Sequence, residues 1–306
     1  MIIVVCPGQG SQTPGFLSPW IEDPSARELI SQLSHAAEVD LLTHGTISDA
    51  DTIRDTAVAQ PLIVAAGILT LNALRESGHL ARIGGIAGHS GGEFTAAAGA
   101  GVLDAVDAVR LVGLRGRAMA EAAALVPTGM SAIIGGDIDE ILSRLEDLSL
   151  FPANYNGGGQ LVVAGALTAL AELGATPPSG TRVIALPVAG AFHTSYMTSA
   201  VETLRIASAT LTTHAPQVTL WTNKDGSIVD DGARYRDLLV GQVSSPVRWD
   251  LCMESFAEAG VTGIIEVAPA GALVGLAKRA LKGVPTVAIK TPDDLVGARE
   301  LIDSVA

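Results

Sequence analysis

Apolar residues along this chain fall into short dense runs separated by small and polar residues. The first run, Ile2 to Cys6, is β-branched, uninterrupted and closed by Pro7-Gly8, the pattern of a strand buried on both faces in a parallel sheet. Residues 83–88 form a second such run. Between them, residues 61–74 predict an apolar helix with Pro61 at or near its first position, where a missing N–H is harmless. Asp104 is placed to cap a helix running to about residue 124, with Asp107 in its first turn at the positive end of the helix dipole. Strand and helix patterns alternating in this way predict an α/β architecture.

The stretch 127–188 changes character. Strand patterns at 130–134, 151–156, 160–164 and 182–188 enclose helix patterns at 138–148 and 168–173, and the middle two strands meet across Gly157-Gly158-Gly159. The order βαββαβ is that of a ferredoxin-like unit. It predicts a small subdomain, 127–188, inserted into a large α/β subdomain formed by 1–126 and 189–306. Beyond the insertion the pattern predicts a helix at 198–209, a strand at 217–222, a helix around Ser255, a strand at 262–266 and a helix at 273–281.

Composition narrows the function. The chain has 306 residues, 48% hydrophobic and 17% charged, enough for a sizeable core, which excludes a disordered or fibrous chain. Aromatic residues are only 4% and the net charge is −13, so the chain repels phosphate backbones and anionic membranes, and no nucleic-acid or membrane partner is expected. An anionic substrate therefore needs a local cation. Cys6 and Cys252 lie far apart and match no metal spacing or disulfide framework. The first basic residue is Arg27, so the apolar start lacks the basic segment of a signal peptide, and the apolar run 62–71 is short for a bilayer. A cytoplasmic protein is expected.

Gly88-His89-Ser90-Gly91-Gly92 matches G-x-S-x-G at a predicted strand-to-helix turn, where a nucleophile elbow belongs. Such a turn exposes Ser90 at a helix N-terminus, whose dipole favours developing negative charge. A serine nucleophile needs a base, usually His. His35, His44, His79 and His214 sit in polar or loop contexts, and His89 adjoins Ser90 on a turn that points neighbours apart. His193, in a small-residue loop leaving the inserted unit, is the best candidate, with an ordinary loop histidine as the alternative. Gly8-Gln9-Gly10 follows the first strand but carries Thr13 where a dinucleotide fingerprint has its third glycine. Its backbone can instead turn an N–H into a cleft at the sheet's carboxyl edge. Arg115 lies among apolar residues and two glycines, with Met119 one turn on.

These motifs together resemble the malonyl-CoA:acyl carrier protein transacylases of fatty-acid and polyketide synthesis, the actinobacterial members above all. The resemblance spans nearly the whole chain. It runs through Pro7 to Gln12, Gly88 to Glu93, Arg115 to Met119, Asn154 to Gln160, Gly190 to His193, Gln242 to Trp249 and Glu266 to Pro269.

The resemblance implies an α/β-hydrolase-like large subdomain and ping-pong malonyl transfer from malonyl-CoA to the phosphopantetheine thiol of an acyl carrier protein, without metal or organic cofactor. It implies Ser90 as the acylated nucleophile, His193 as general base, and the backbone carbonyl of Gln242 as the group orienting the imidazole. It further implies the N–H groups of Gln9 and Gly91 as the oxyanion hole, Arg115 as partner of the malonyl carboxylate, and Met119, Asn156 and Phe192 as the acyl-pocket lining. Gly91 departs from the family pattern, in which the residue there is usually bulkier, often Val or Leu. An acidic carrier protein would need a basic surface, and Lys278, Arg279 and Lys282 are the densest such cluster. A serine hydrolase using the same Ser-His pair is the alternative.

Overall fold

The computed structural model describes residues 1–188 and 190–305. Its ten strands are β1 (Ile2–Cys6), β2 (Gly85–Gly88), β3 (Thr128–Gly135), β4 (Phe151–Gly157), β5 (Gln160–Ala166), β6 (Thr181–Ala185), β7 (Thr219–Leu220), β8 (Val247–Arg248), β9 (Gly263–Glu266) and β10 (Thr286–Ala288). They form two sheets.

The first sheet has the order β10-β9-β1-β2-β7, with every neighbouring pair parallel. β1 lies at its centre and is buried along its whole length, which is why its sequence does not alternate. Helices Thr56–Glu76 and Ala105–Leu125 belong to the larger core cluster, together with Val4 and Ile86 of the sheet. A second cluster holds Ile3 and Val5 with Trp221, Trp249 and Phe256. β9 ends on buried Glu266, whose carboxylate accepts the N–H groups of Gly271, Leu273 and Val274 at the start of helix Ala272–Ala280.

Pro61 does not begin its helix. The helix starts at Thr56, capped by Asp55, whose carboxylate accepts the Ala57 N–H, and Pro61 stands in its second turn. The upstream cap sets the start, and burial of most of the helix outweighs the one backbone bond that proline removes. At 21 residues this helix is long and apolar enough to cross a membrane, and 78% of its apolar window is buried inside the protein.

The second sheet has the order β6-β3-β5-β4-β8. Its first four members are antiparallel neighbours in the arrangement of a ferredoxin-like unit, packed on Ile141, Leu145 and Leu173 of their helices. The fifth, β8, comes from the C-terminal part of the chain and joins β4 in parallel, Asn154 opposite Val247. The expected break at 188/189 falls on Ala189, outside the described residues.

Candidate active site

β2 ends at Gly88 and helix Gly92–Gly99 begins four residues later, so Ser90 stands at the tip of the turn with φ 54°. A left-handed conformation strains a residue with a side chain and persists only where its surroundings hold it. The glycines are steric requirements of this turn. A Cβ on Gly88 would lie 2.2 Å from the Glu93 nitrogen, and one on Gly92 2.1 Å from the Cys6 carbonyl oxygen. Polar straps hold the turn. The Ser90 N–H donates to Asn223 Oδ1 (2.7 Å), Asn223 Nδ2 donates to the Gly88 carbonyl (2.6 Å), and Gln242 Nε2 donates to the Ser90 carbonyl (3.1 Å).

His193 is buried and also left-handed, with φ 61°. Its Nε2 lies 2.7 Å from Ser90 Oγ and its Nδ1 lies 2.9 Å from the backbone carbonyl of Gln242. A carbonyl only accepts, so Nδ1 carries the proton and Nε2 is free to accept from the serine hydroxyl. Burial, and after it the Arg115 cation, hold the imidazole pKa down to about 3. The ring is therefore a neutral acceptor at physiological pH.

Arg115 projects from helix Ala105–Leu125, which runs close to its neighbours. A Cβ on Gly113 would meet the Ala37 carbonyl at 2.9 Å, and one on Gly116 the Thr56 carbonyl at 2.7 Å. The guanidinium is fully buried and lies 5.9 Å from the centre of the Phe94 ring. Nη1 donates to Gln60 Oε1 at 2.6 Å and Nη2 to Gln242 Oε1 at 2.8 Å, while Nη2 is 3.4 Å from Ser90 Oγ. Nε has no partner. Burial lowers the Arg115 pKa to about 10, with Glu93 opposing it, so the cation persists.

Ser90, His193, Arg115, Met119, Phe192, Gln9 and Gly91 line one cavity. The N–H groups of Gln9 and Gly91 donate no hydrogen bond among the described residues. A Cβ on Gly8 would come within 2.7 Å of the His89 carbonyl, which shows how closely the Gln9 loop approaches the elbow. Asn156 is not brought into the cavity. β4 carries register irregularities on either side of Asn154-Tyr155, and Asn154 lines the cavity instead. Asn156 accepts from His89 Nε2 at 2.9 Å and donates to Gln160. Arg117 turns away, donating to the Ala37 carbonyl and pairing with Glu38.

Four site groups were not anticipated from the sequence: Gln60, Glu93, Asn223 and the side chain of Gln242. Glu93 was visible as the residue closing the elbow motif, whereas Gln60 and Asn223 carry no local signal. Glu93 is buried, accepts the Asn223 N–H at 2.7 Å, and accepts Gln242 Nε2 in a short contact. Burial raises its pKa to about 7 against these hydrogen bonds. Among the described residues no cluster of His, Cys, Asp or Glu could hold a metal ion.

A family model described as an acyl transferase domain matches residues 3–297. The malonyl CoA-acyl carrier protein transacylase of Mycobacterium tuberculosis is 52% identical over 299 residues, covering 96% of this chain and 98% of that protein. The crystal structure of MCAT from the same organism superposes with a TM-score of 0.94 at 52% identity, over 96% of this chain and 98% of that one. A malonyl-transacylase in complex with a type II PKS acyl-carrier protein superposes with a TM-score of 0.91 at 30% identity, over 98% and 99%. Sequence, fold and site agree, and the chain belongs to the malonyl CoA-acyl carrier protein transacylases of the acyl transferase family.

Proposed function

We propose that this chain moves a malonyl group from malonyl-CoA to the phosphopantetheine thiol of an acyl carrier protein through an acyl-serine. The observation that carries the reading is the convergence of the Ser90–His193–Gln242 hydrogen-bond chain with a buried, incompletely partnered Arg115 in one cavity. The malonyl-transacylase of similar fold that binds an acyl-carrier protein supports the acceptor.

In the first half-reaction His193 Nε2 takes the Ser90 Oγ proton as Oγ attacks the thioester carbonyl. The Gln242 carbonyl orients the imidazole and stabilises the imidazolium through Nδ1–H, as a carboxylate does in a Ser-His-Asp triad. The oxyanion falls to the N–H groups of Gln9 and Gly91, a donor of this kind contributing about 3 kcal/mol. The tetrahedral intermediate expels the CoA thiolate, which takes the proton back from His193. In the second half-reaction the carrier thiol gives its proton to His193 and attacks the acyl-serine, and the departing Ser90 Oγ takes that proton back from His193. Arg115 holds the malonyl carboxylate through its free N–H groups. That pairing offsets the cation that depresses His193, so the base strengthens when the correct acyl group is bound.

Met119 and Phe192 bound the acyl group. Lys278, Arg279 and Lys282, all exposed, receive the carrier protein. Arg279 packs against Gly158 in the turn after β4, two residues from the Asn156 that holds His89, so the patch adjoins the elbow. Residues 1–126 and 189–306 act as the large subdomain and 127–188 as the inserted one. We place the enzyme in the cytoplasm, supplying malonyl units to fatty-acid or polyketide assembly; among the described residues the one helix long and apolar enough to cross a membrane is mostly buried in the core. Intact-protein mass spectrometry after mixing with malonyl-CoA tests the reading. A malonyl adduct lost on adding the acceptor thiol, and absent from Ser90→Ala, is expected. A normal adduct on Ser90→Ala, or free malonate without transfer, contradicts it.

A further inference from the structure

The mechanism leaves one buried titratable group of the site unused. We propose that Glu93 is a positioning residue that locks the Gln242 carboxamide with its oxygen toward Arg115, and thereby sets the preference for acyl groups bearing a carboxylate. The inference rests on the proposed malonyl transfer.

The Gln242 carboxamide sits between two opposite demands. Its Oε1 accepts from Arg115 Nη2 at 2.8 Å, while its Nε2 donates to Glu93 Oε2 and to the Ser90 carbonyl. Flipping it would set Nε2 against a guanidinium donor and Oε1 against three acceptors, Glu93 Oε2, the Ser90 carbonyl and Asn223 Oδ1. Arg115 holds the Oε1 side of this orientation, and Glu93 makes the shortest contact on the Nε2 side. Glu93 cannot turn away, since it is 1% exposed and its other oxygen accepts the Asn223 N–H. Arg115, Tyr235 and Cys252 are the ionisable groups whose charge couples to it, and of these only Arg115 is cationic at neutral pH.

Glu93 thus reaches Arg115 through one amide, without touching the substrate. With Nη2 anchored on Gln242 and Nη1 on Gln60, the guanidinium plane is fixed and its remaining N–H groups are available for a carboxylate. Glu93→Gln preserves the shape but turns an N–H₂ toward either the Asn223 N–H or Gln242 Nε2. One donor must yield, and rotation of the Gln242 side chain is the available relief.

The test measures Ser90 acylation by malonyl-CoA and by acetyl-CoA in wild type and Glu93→Gln. Because acetyl carries no carboxylate to pair with Arg115, the expected result is selective. Malonyl kcat/KM falls at least about tenfold, mainly through KM, as for a lost buried partner, while acetyl kcat/KM stays within about threefold. A parallel loss with both acyl groups assigns Glu93 to support of the elbow and overturns the proposal, as does no loss with either. Should Glu93→Gln not fold, Glu93→Asp reads the same ratio, since it keeps the charge but draws the carboxylate back from Gln242 Nε2. The same selective loss supports the proposal there, and a parallel or absent loss overturns it. Wild type that takes up no malonyl at all overturns the proposed function instead.

Discussion

In the proposed function one buried charge, Arg115, chooses the substrate. Its guanidinium is surrounded by neutral acceptors from Gln60 and Gln242 and has an unpartnered Nε, so a carboxylate entering the cavity finds a prepared cation. Arg115→Ala removes that partner and leaves the Ser90–His193 pair in place. Malonyl acylation is expected to fall about 30- to 5000-fold, the equivalent of about 2–5 kcal/mol for breaking a buried charge pair. Acetyl acylation is expected to hold or rise. Arg115 lowers the His193 pKa, so its removal moves that pKa up toward the ordinary value and makes Nε2 a stronger base. Rapid-quench acylation with the two thioesters checks both signs, and a parallel loss would make Arg115 structural. At this scale Ser90 and His193 were legible in the sequence as an elbow serine and a loop histidine. The reason they meet was not, because the group that aims His193 is a main-chain carbonyl 49 residues away, which no residue type advertises.

At the scale of elements, the elbow is a strand and a helix brought so close that only glycine fits between them. Gly92→Ala is expected to destabilise the protein by about 3 kcal/mol or more, because the obstacle is the Cys6 backbone and not a movable side chain. Gly91 differs although it stands next in the chain. It has φ −56°, and a Cβ there meets only Arg115 Nη1 at 3.6 Å. Gly91→Ala is expected to change stability by less than about 0.5 kcal/mol. Urea midpoints at unchanged slope separate the two cases. The buried strands β1, β2 and β9 were legible because continuous apolar runs have no other use at that length. Edge strand β10, of three residues, was not, since pairing and not side-chain pattern defines it, and β7, expected at 217–222, pairs only over Thr219–Leu220. Pro61 misled as a helix start because the true cap, Asp55, lies outside the apolar run.

Over the whole molecule, a net charge of −13 sets the problem of meeting an acidic carrier protein. Long-range repulsion slows encounter unless a local patch reverses the sign. Lys278 and Arg279 stand exposed in the last turn of helix Ala272–Ala280, beside the turn after β4. Reversing both to Glu is expected to raise the KM for the carrier protein several-fold at low salt, with the KM for malonyl-CoA unchanged. Raising ionic strength should shrink the difference, since exposed charges are screened beyond about 10 Å at 0.1 M salt. Equal effects on both substrates, or none, would reject the patch.

The sequence by itself determined the architecture and the strand-to-helix turn that carries Ser90, because both rest on local physics. Continuous apolar runs make buried strands, alternating runs and turns make the ferredoxin-like unit, and glycine spacing permits a strained serine between strand and helix. Only the tertiary structure decided which polar groups surround that serine. Gln60, Glu93, Asn223 and the Gln242 side chain come from four separate places in the chain, and β8 reaches the inserted sheet from nearly 100 residues beyond β4. A hydrogen-bond network depends on distance and direction between atoms, and neither is carried by the type of residue or by its neighbours in sequence.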